Sequence, residues 1–285
     1  MVQLHKYSGA GNDFVVLDGR TEDVSAFRGA ERISALCAEF KTDGLMILTD
    51  DPDYDFRMEY YNSDGSGGMM CGNGGRCIVA FADALGIRPA DGRIFRFVAA
   101  DGPHTGEILV RDGDRKTVRL RMIDVHSFHP ALDGWFLDTG TRHFVRFVPD
   151  VEAVDVEKEG REARWYPLFA PIGANANFVS VDPDGTLRVR TFEKGVEGET
   201  LACGTGITAS AIAAYLVGCG SAVSEPFTRV GSRVSEAQHD SGETASAEPA
   251  RYGIQARIAR LSVEFIPKKD CFTDVYLTGP ADEIR

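Results

Sequence analysis

The feature that most constrains this chain is a short phrase that occurs twice. "MMCGNGGRCI" at residues 69–78 and "LACGTGITAS" at residues 201–210 each place Cys-Gly-polar-Gly directly before an apolar run. The runs "IVAFADALGI" and "ITASAIAAYLVG" are apolar on nearly all sides, and a helix with that pattern is buried. The chain must therefore bury two helices, and the cysteine at the start of each one needs a chemical reason.

Segments with strand-like alternation of apolar and polar residues could form the sheets that cover those helices. Nine segments show it between turn residues: "DFVVLD", "LMIL", "DFRMEYYN", "IFRFVAA", "TVRLRMI", "HFVRFV", "ANFVSV", "TLRVRTF" and "RLSVEFI". Helical spacing of apolar residues also appears in "RGAERISALCAEF", at Ile33, Leu36, Cys37 and Phe40. Many strands and two buried helices predict sheets wrapped around a central helix, once per domain.

A weak internal repeat supports two domains, as does the length of 285 residues. "GAGNDFVVLD" at residues 9–18 and "GANANFVSVD" at residues 173–182 share Gly, Ala, Phe, Val and Asp in register. Each copy precedes its cysteine turn, although 57 residues separate Phe14 from Cys71 and 25 separate Phe178 from Cys203. The shared order indicates duplication. Within the second half, residues 222–253 are rich in Ser, Glu, Ala, Pro and Gly, which predicts a flexible surface insertion.

Charge and cysteine spacing exclude several classes of function. The net charge is −12 and no basic stripe stands out, which argues against nucleic-acid and anionic-membrane partners. The chain shows no secretory leader pattern and no apolar run of membrane-spanning length, so we expect a cytoplasmic protein. None of the six cysteines forms a C-x-x-C pair, and His126 and His129 lack partners at metal-binding spacing. No metal is expected, and four cysteines are interpreted as structural: Cys37, Cys77, Cys219 and Cys271.

A cysteine at a helix start suits acid–base chemistry. The first turn presents unpaired N–H groups and the positive end of the helix dipole, which stabilise a thiolate and attract a carboxylate. Two such units facing each other across a cleft could remove a proton from one face of a carbon and deliver one to the other. That reaction inverts a stereocentre and requires neither a metal nor a pyridoxal cofactor.

With these residues assembled, the sequence resembles the diaminopimelate epimerases, a cofactor-independent family related to proline racemases. The strongest segments are "SGAGNDFVV", "YYNSDGSGGMMCGNGGRC", "NANFVSV" and "FEKGVEGETLACGTG". The resemblance implies an α+β fold of two pseudo-symmetric domains, each a curved mixed sheet or barrel around a central helix, with the active site in the cleft between them. We expect residues 1–122 plus 272–285 to form one domain and residues 123–271 the other. The implied activity interconverts LL- and meso-diaminopimelate in lysine and peptidoglycan synthesis, and the family also suggests a homodimer.

The resemblance also implies roles for individual residues. Cys71 and Cys203 match the catalytic pair, and His143 and Glu193 match residues that tune the thiol pKa values. The residues matching substrate-binding positions are Asn12, Asn62, Gly72, Asn73, Asn175, Glu193, Lys194, Gly204 and Thr205. From its sequence context alone, His143 is better explained as an ordinary strand-end histidine, and only the resemblance favours a role in the site. Asn62 could instead shape its turn, although binding is favoured.

The chain departs from the family pattern near the distal end of the substrate. Family Asn-Pro-His reads Thr141-Arg142-His143, family Glu-Arg reads Glu193-Lys194, and a Gln of some members is Gly44. Lysine keeps the charge of arginine but lacks its planar fork. A racemase acting on proline or hydroxyproline is therefore an alternative, although the polar distal residues favour a long, doubly zwitterionic substrate. A non-catalytic ligand-binding protein and a thiol redox protein are alternatives of a different class.

Overall fold

The structure is a computed structural model that describes residues 2–68, 71–218 and 248–284. The elements of the first half are β1 (His5–Gly9), β2 (Asn12–Asp18), α1 (Ala30–Phe40), β3 (Gly44–Thr49), β4 (Phe56–Asn62), α2 (Gly72–Ala84), β5 (Ile94–Ala99), β6 (Gly102–Asp112) and β7 (Arg115–Arg121). Those of the second half are β8 (Ser127–Ala131), β9 (Gly134–Asp138), β10 (Arg142–Phe147), α3 (Val156–Arg164), β11 (Asn175–Val181), β12 (Leu187–Glu193), β13 (Gly198–Thr200), α4 (Gly204–Leu216), β14 (Ala250–Gln255), β15 (Arg260–Pro267) and β16 (Phe272–Ile284).

The strands form two barrels that share β16. In the first, β1 to β7 follow one another, and the second half of β16 pairs with both β7 and β1 to close the ring. In the second, the order runs from β16 through β15, β14, β12, β11, β10 and β9 to β8. A bridge between Val125 and Phe272 joins its two ends. The predicted fold class is confirmed.

One helix is buried in each barrel, as the apolar runs predict. Nearly every residue of α2 is buried, and so are most residues of α4. α1 and α3 instead lie outside the barrels, where separate apolar clusters hold them against the sheet. α3 was not predicted from the sequence, because "VEKEGREAR" is mostly charged and only one side of it is buried.

Both barrels have the same connectivity, which corrects the predicted repeat. α1 joins the parallel strands β2 and β3, and α3 joins the parallel strands β10 and β11. The strand equivalent to β11 is therefore β3, whereas the sequence alignment matched β11 to β2 and was wrong. The spacing supports the correction, because β3 and β11 start 27 and 28 residues before Cys71 and Cys203.

The observed strands bear on two predicted boundaries. Residues 272–285 were assigned to the first domain, but β16 divides: its first half pairs with β15, and its second half pairs with β7 and β1. The predicted insertion at 222–253 lies largely outside the described residues, as does Cys219. Its predicted end is wrong, because residues 250–253 begin β14 and Tyr252 is buried. In the described residues, no helix has the length and apolar character needed to cross a membrane.

Candidate active site

The two buried helices start against each other where the barrels join. A Cβ atom at Gly204 would lie 3.6 Å from the Cα of Gly72 and 3.0 Å from Cδ2 of Leu277. A Cβ atom at Gly72 would lie 3.2 Å from the same Leu277 methyl. Leu277 lies in the shared strand β16, between the two helix starts. Because glycine has no side chain, the backbones of α2 and α4 can approach this closely.

Cys71 is the N-cap residue of α2. Its Sγ accepts a hydrogen bond of 3.2 Å from the N–H of Gly74, so the thiol takes the place that a serine or aspartate usually occupies. Burial raises the pKa of the Cys71 thiol, while the Gly74 N–H and the positive charge of Arg76 oppose that rise. A helix N–H and a cation both favour a thiolate at this position.

Cys203 is the N-cap residue of α4, but its surroundings differ. Burial raises the pKa of Cys203 to about 12, and the Glu193 carboxylate contributes to the rise. Its Sγ lies 3.4 Å from Oγ1 of Thr205, whose hydroxyl opposes the rise. Glu193 itself is half-buried, and this burial raises the pKa of its carboxyl. The surroundings of Cys203 therefore favour a protonated thiol.

A chain of hydrogen bonds lies behind Cys203. Asn177 Nδ2 donates to the main-chain carbonyl of Phe144 at 3.0 Å and also lies 3.0 Å from His143 Nδ1. His143 Nδ1 is therefore the acceptor, and the proton is assigned to His143 Nε2, which lies 2.9 Å from both Thr141 Oγ1 and Thr205 Oγ1. Burial lowers the pKa of His143 to about 3, so the ring is neutral. With its oxygen accepting from histidine, the Thr205 hydroxyl can donate to Cys203 Sγ.

Asparagine side chains connect the two helix starts. Arg76 donates to Asn73 Oδ1 at 2.8 Å, so the Asn73 amide nitrogen is the donor to Ala202 O at 3.1 Å and to Asn12 Oδ1. Ala202 directly precedes Cys203, and Asn12 in turn donates to Asp43 at 3.3 Å. Asn73 therefore ties the start of α2 to the segment that enters α4.

Asn175 joins the segments in which the sequence departs from the family. Its Oδ1 accepts from the Lys194 main-chain N–H at 2.7 Å, and its Nδ2 donates to Arg142 O at 2.9 Å and Thr141 Oγ1 at 3.3 Å. Asn62 is placed differently. Its Nδ2 donates to Ser66 Oγ at 2.9 Å within the turn that follows β4.

The predicted residues thus form two groups around the two helix starts. One contains Cys71, Gly72, Asn73 and Asn12; the other contains Cys203, Gly204, Thr205, His143 and Asn175. Glu193 acts on both thiols, because its charge raises the pKa of Cys71 and that of Cys203. Asn62 is at the edge of this arrangement, paired in register with Gly44 at the end of β4.

Sequence reasoning missed three residues of this region. Arg76 and Asn177 are fully buried and bond directly to predicted site residues, and Tyr60 on β4 has a pKa raised by burial and then by the charge of Cys71. Arg76 and Asn177 left a signal, since each is a polar residue in a segment that the sequence predicts to be buried. Tyr60 left none, because a tyrosine in an alternating strand is ordinary.

The site offers anion-binding N–H groups rather than metal ligands. In residues 2–68, 71–218 and 248–284, no group of three or more His, Cys, Asp or Glu side chains is arranged to hold a metal ion. The first N–H groups of α2 and α4 have no acceptor within their own helices, and the two helix starts meet at the Gly72–Gly204 contact. This arrangement can bind one carboxylate between two thiols.

Comparison with known proteins agrees with this description. The family model for diaminopimelate epimerase matches residues 4–114 and 135–251. A diaminopimelate epimerase from Flavobacterium psychrophilum is 35% identical over 99% of this chain and 97% of its own length. One from Chlorobaculum tepidum is 38% identical over 96% of each chain.

Solved structures show the same fold at low sequence identity. A phenazine biosynthesis protein of the PhzF family from Bacillus anthracis has a TM-score of 0.69 and 12% identity, covering 99% of this chain and 96% of that one. A probable proline racemase from Agrobacterium radiobacter K84 has a TM-score of 0.62 and 16% identity, covering 100% and 91%. At these identities the likeness concerns the fold alone.

Proposed function

The chain belongs to the diaminopimelate epimerase family, and from this premise we propose that it interconverts LL- and meso-diaminopimelate through Cys71 and Cys203. It is an isomerase that acts on a small molecule. The reaction serves lysine and peptidoglycan synthesis. The observation that carries the proposal is the contact between Gly72 and Gly204, which brings two cysteine-capped helix starts together.

The reacting carboxylate binds the N–H groups at the starts of α2 and α4. Negative charge develops on this carboxylate when the α-proton leaves, and fixed N–H donors in a cleft shielded from water stabilise that charge. Gly72, Asn73, Gly204 and Thr205 supply the main-chain groups. Both helix dipoles act on the same carboxylate, so the developing charge is stabilised from two directions.

One thiolate and one thiol carry out the proton transfers. We assign the thiolate to Cys71, which has an N–H donor and a nearby cation, and the thiol to Cys203, which lies beside Glu193. Cys71 takes the α-proton, forming an S–H bond as the C–H bond breaks. Cys203 then delivers its proton to the other face of the carbon and is left as a thiolate. The reverse reaction begins from that state, and no group other than the two sulfurs changes protonation.

The distal amino-acid group of the substrate binds the polar residues around Asn175. Lys194 brings a positive charge there, and Asn175 orders the main chain of both Lys194 and Arg142. Asn62 and Asn12 complete the proposed binding residues. A cytoplasmic location and a homodimer are part of the same proposal, and light scattering of the purified protein tests the dimer.

Replacement of either cysteine tests the proposal. Cys71→Ala and Cys203→Ala should each lower turnover of diaminopimelate below detection, and the serine variants should lose at least about 10²–10⁴-fold, because a hydroxyl is a far weaker acid. Cys37→Ala is the matched control and should keep full activity, since Cys37 is a buried residue of α1 in the apolar cluster that holds this helix against the sheet. Substantial turnover in both alanine variants would refute the two-thiol mechanism. Exchange of proline but not diaminopimelate would retain the mechanism and reject the substrate.

A further inference from the structure

Arg76 is a fully buried cation one turn into α2, with 0% of its surface exposed. Its three donor groups all meet neutral oxygens: Nε donates to Pro280 O at 3.2 Å, Nη1 to Gly72 O at 3.1 Å, and Nη2 to Asn73 Oδ1 at 2.8 Å. Burial lowers the pKa of Arg76, and within the described chain the neighbours that favour its charge are the thiols of Cys77 and Cys71. A buried charge without a charged partner is destabilising, so its presence here calls for a function.

The hydrogen bonds of Arg76 hold the start of α2 in place. Gly72 contributes to the contact with α4, and the guanidinium fixes its carbonyl. The bond to Asn73 Oδ1 leaves the amide hydrogens of Asn73 for Ala202 and Asn12. Removing Arg76 would free the Asn73 amide to turn over, and the tie to the segment before Cys203 would be lost.

The charge of Arg76 also acts on Cys71, and the other titratable groups around this thiol are acids. The titratable groups facing this region come from several elements: Glu193 from β12, Tyr60 from β4, Asp13 from β2, Asp282 from β16, and Cys203 at the start of α4. All of these are acids, and those that are ionised disfavour a second negative charge. Arg76 is the cation that acts on the Cys71 thiol.

We propose that Arg76 is a positioning residue of the epimerisation, which fixes Gly72 and Asn73 and favours the thiolate of Cys71. This inference rests on the proposed function, because it gives Cys71 the role of the base. Cys77, the other thiol near Arg76, lies inside the helix with 0% exposure and does not reach the cleft.

The test follows the rate of iodoacetamide alkylation at Cys71 against pH, with site-resolved mass spectrometry, alongside turnover. Arg76→Met should raise the midpoint of the Cys71 profile by about one pH unit, because an opposite charge is lost. Arg76→Lys should keep the midpoint near that of the unmodified protein but lower turnover by at least about tenfold, since one ammonium cannot replace the fork of a guanidinium. Lys116→Met is the control: Lys116 is a buried cation that donates to Ala80 O at 3.2 Å, near the other end of α2. Its loss should leave the Cys71 midpoint unchanged.

The outcomes separate this inference from its premise. An unchanged midpoint in Arg76→Met, or an equal shift in Lys116→Met, would overturn it and leave Arg76 a structural residue. If Arg76→Met does not fold, Arg76→Lys decides, because a midpoint raised by a full unit despite the retained charge would also overturn it. Alkylation does not require turnover. A failure of the proposed function would therefore appear as absent epimerisation in the unmodified protein, whatever the alkylation profile shows.

Discussion

Cys71 and Cys203 occupy matching positions but have unlike surroundings. Both occupy the N-cap position of a buried helix, and the motif alone predicts two equivalent thiols. The structure distinguishes them by which neighbour acts most strongly after burial: the Gly74 N–H and then Arg76 at Cys71, but the Glu193 carboxylate and then the Thr205 hydroxyl at Cys203. The sequence shows part of this difference, since Arg76 follows Cys71 within the motif whereas Thr208 stands at the matching position after Cys203. Glu193 reaches the thiols only through the fold. In the proposed mechanism this asymmetry assigns the base to Cys71 and the acid to Cys203.

The pH dependence of kcat/KM should reflect the ionisation of a thiol and not of a histidine. Burial raises the pKa of the Cys71 thiol, and turnover needs Cys71 ionised, so kcat/KM should rise with pH through a limb in the thiol range. His143 has a pKa lowered by burial to about 3 and is neutral throughout the measured range, so it contributes no limb. Steady-state kinetics from pH 6 to 9 check this. A limb near the ordinary histidine value of about 6.5 that disappears in His143→Asn would contradict it.

Elements were predictable where their pattern was strong. The two buried helices and nine strands follow from apolar runs and alternation, and each of those segments has the predicted structure. The strands that escaped are β1, β6, β8, β9, β13 and β14. Three of them have plainly weak patterns: β8 contains proline, β6 begins with Gly and Pro, and β13 has three residues. α3 escaped because its sequence is highly charged.

The site was predictable to the same extent, since its cysteines and glycines lie in motifs, whereas the Asn73–Ala202 contact depends on how the two halves pack.

Close packing of α4 against β10 and β11 gives a test at the level of the element. A Cβ atom at Gly206 would overlap Asn177 Oδ1 and lie 3.2 Å from His143 Cε1. Gly206→Ala should therefore displace the start of α4, destabilise the protein by about 1–3 kcal/mol and lower turnover by at least about tenfold. Urea unfolding and steady-state kinetics measure both. Gly253→Ala on β14 is the control, because a Cβ there meets no atom within 4 Å. Equal effects of both substitutions would contradict the packing argument.

The whole molecule is held together at the shared strand β16. This strand pairs with β15 in one barrel and with β7 and β1 in the other, and Leu277 lies beneath both helix starts. From the sequence, the last strand was expected to return to the first domain. The sequence could not reveal that this strand pairs with strands of both barrels. Pairings between residues that are distant in the chain leave no local pattern. For the same reason the repeat was recognised but aligned in the wrong register.

Leu277 tests the coupling between the barrels. Leu277→Ala should cost about 2–5 kcal/mol of unfolding free energy, because it leaves a cavity in a fully buried position. It should also lower turnover, since both helix starts rest on this side chain. Leu36→Ala is the control: Leu36 is similarly buried, but it lies in α1, in the apolar cluster that holds this helix against the sheet. Its loss should cost a similar free energy and leave turnover near normal. Equal turnover in the two variants, compared well below their melting temperatures, would show that Leu277 supports stability alone.

Proton exchange at the substrate α-carbon tests the central claim most directly. The reduced protein is incubated with LL-diaminopimelate in deuterium oxide and followed by proton NMR. The two-thiol account predicts that an α-proton signal is lost as the meso form appears, because the second cysteine delivers a deuteron from solvent to the opposite face. Appearance of the meso form with its α-proton fully retained would contradict proton transfer between two solvent-exchanging thiols. Absence of any epimerisation would contradict the proposed function.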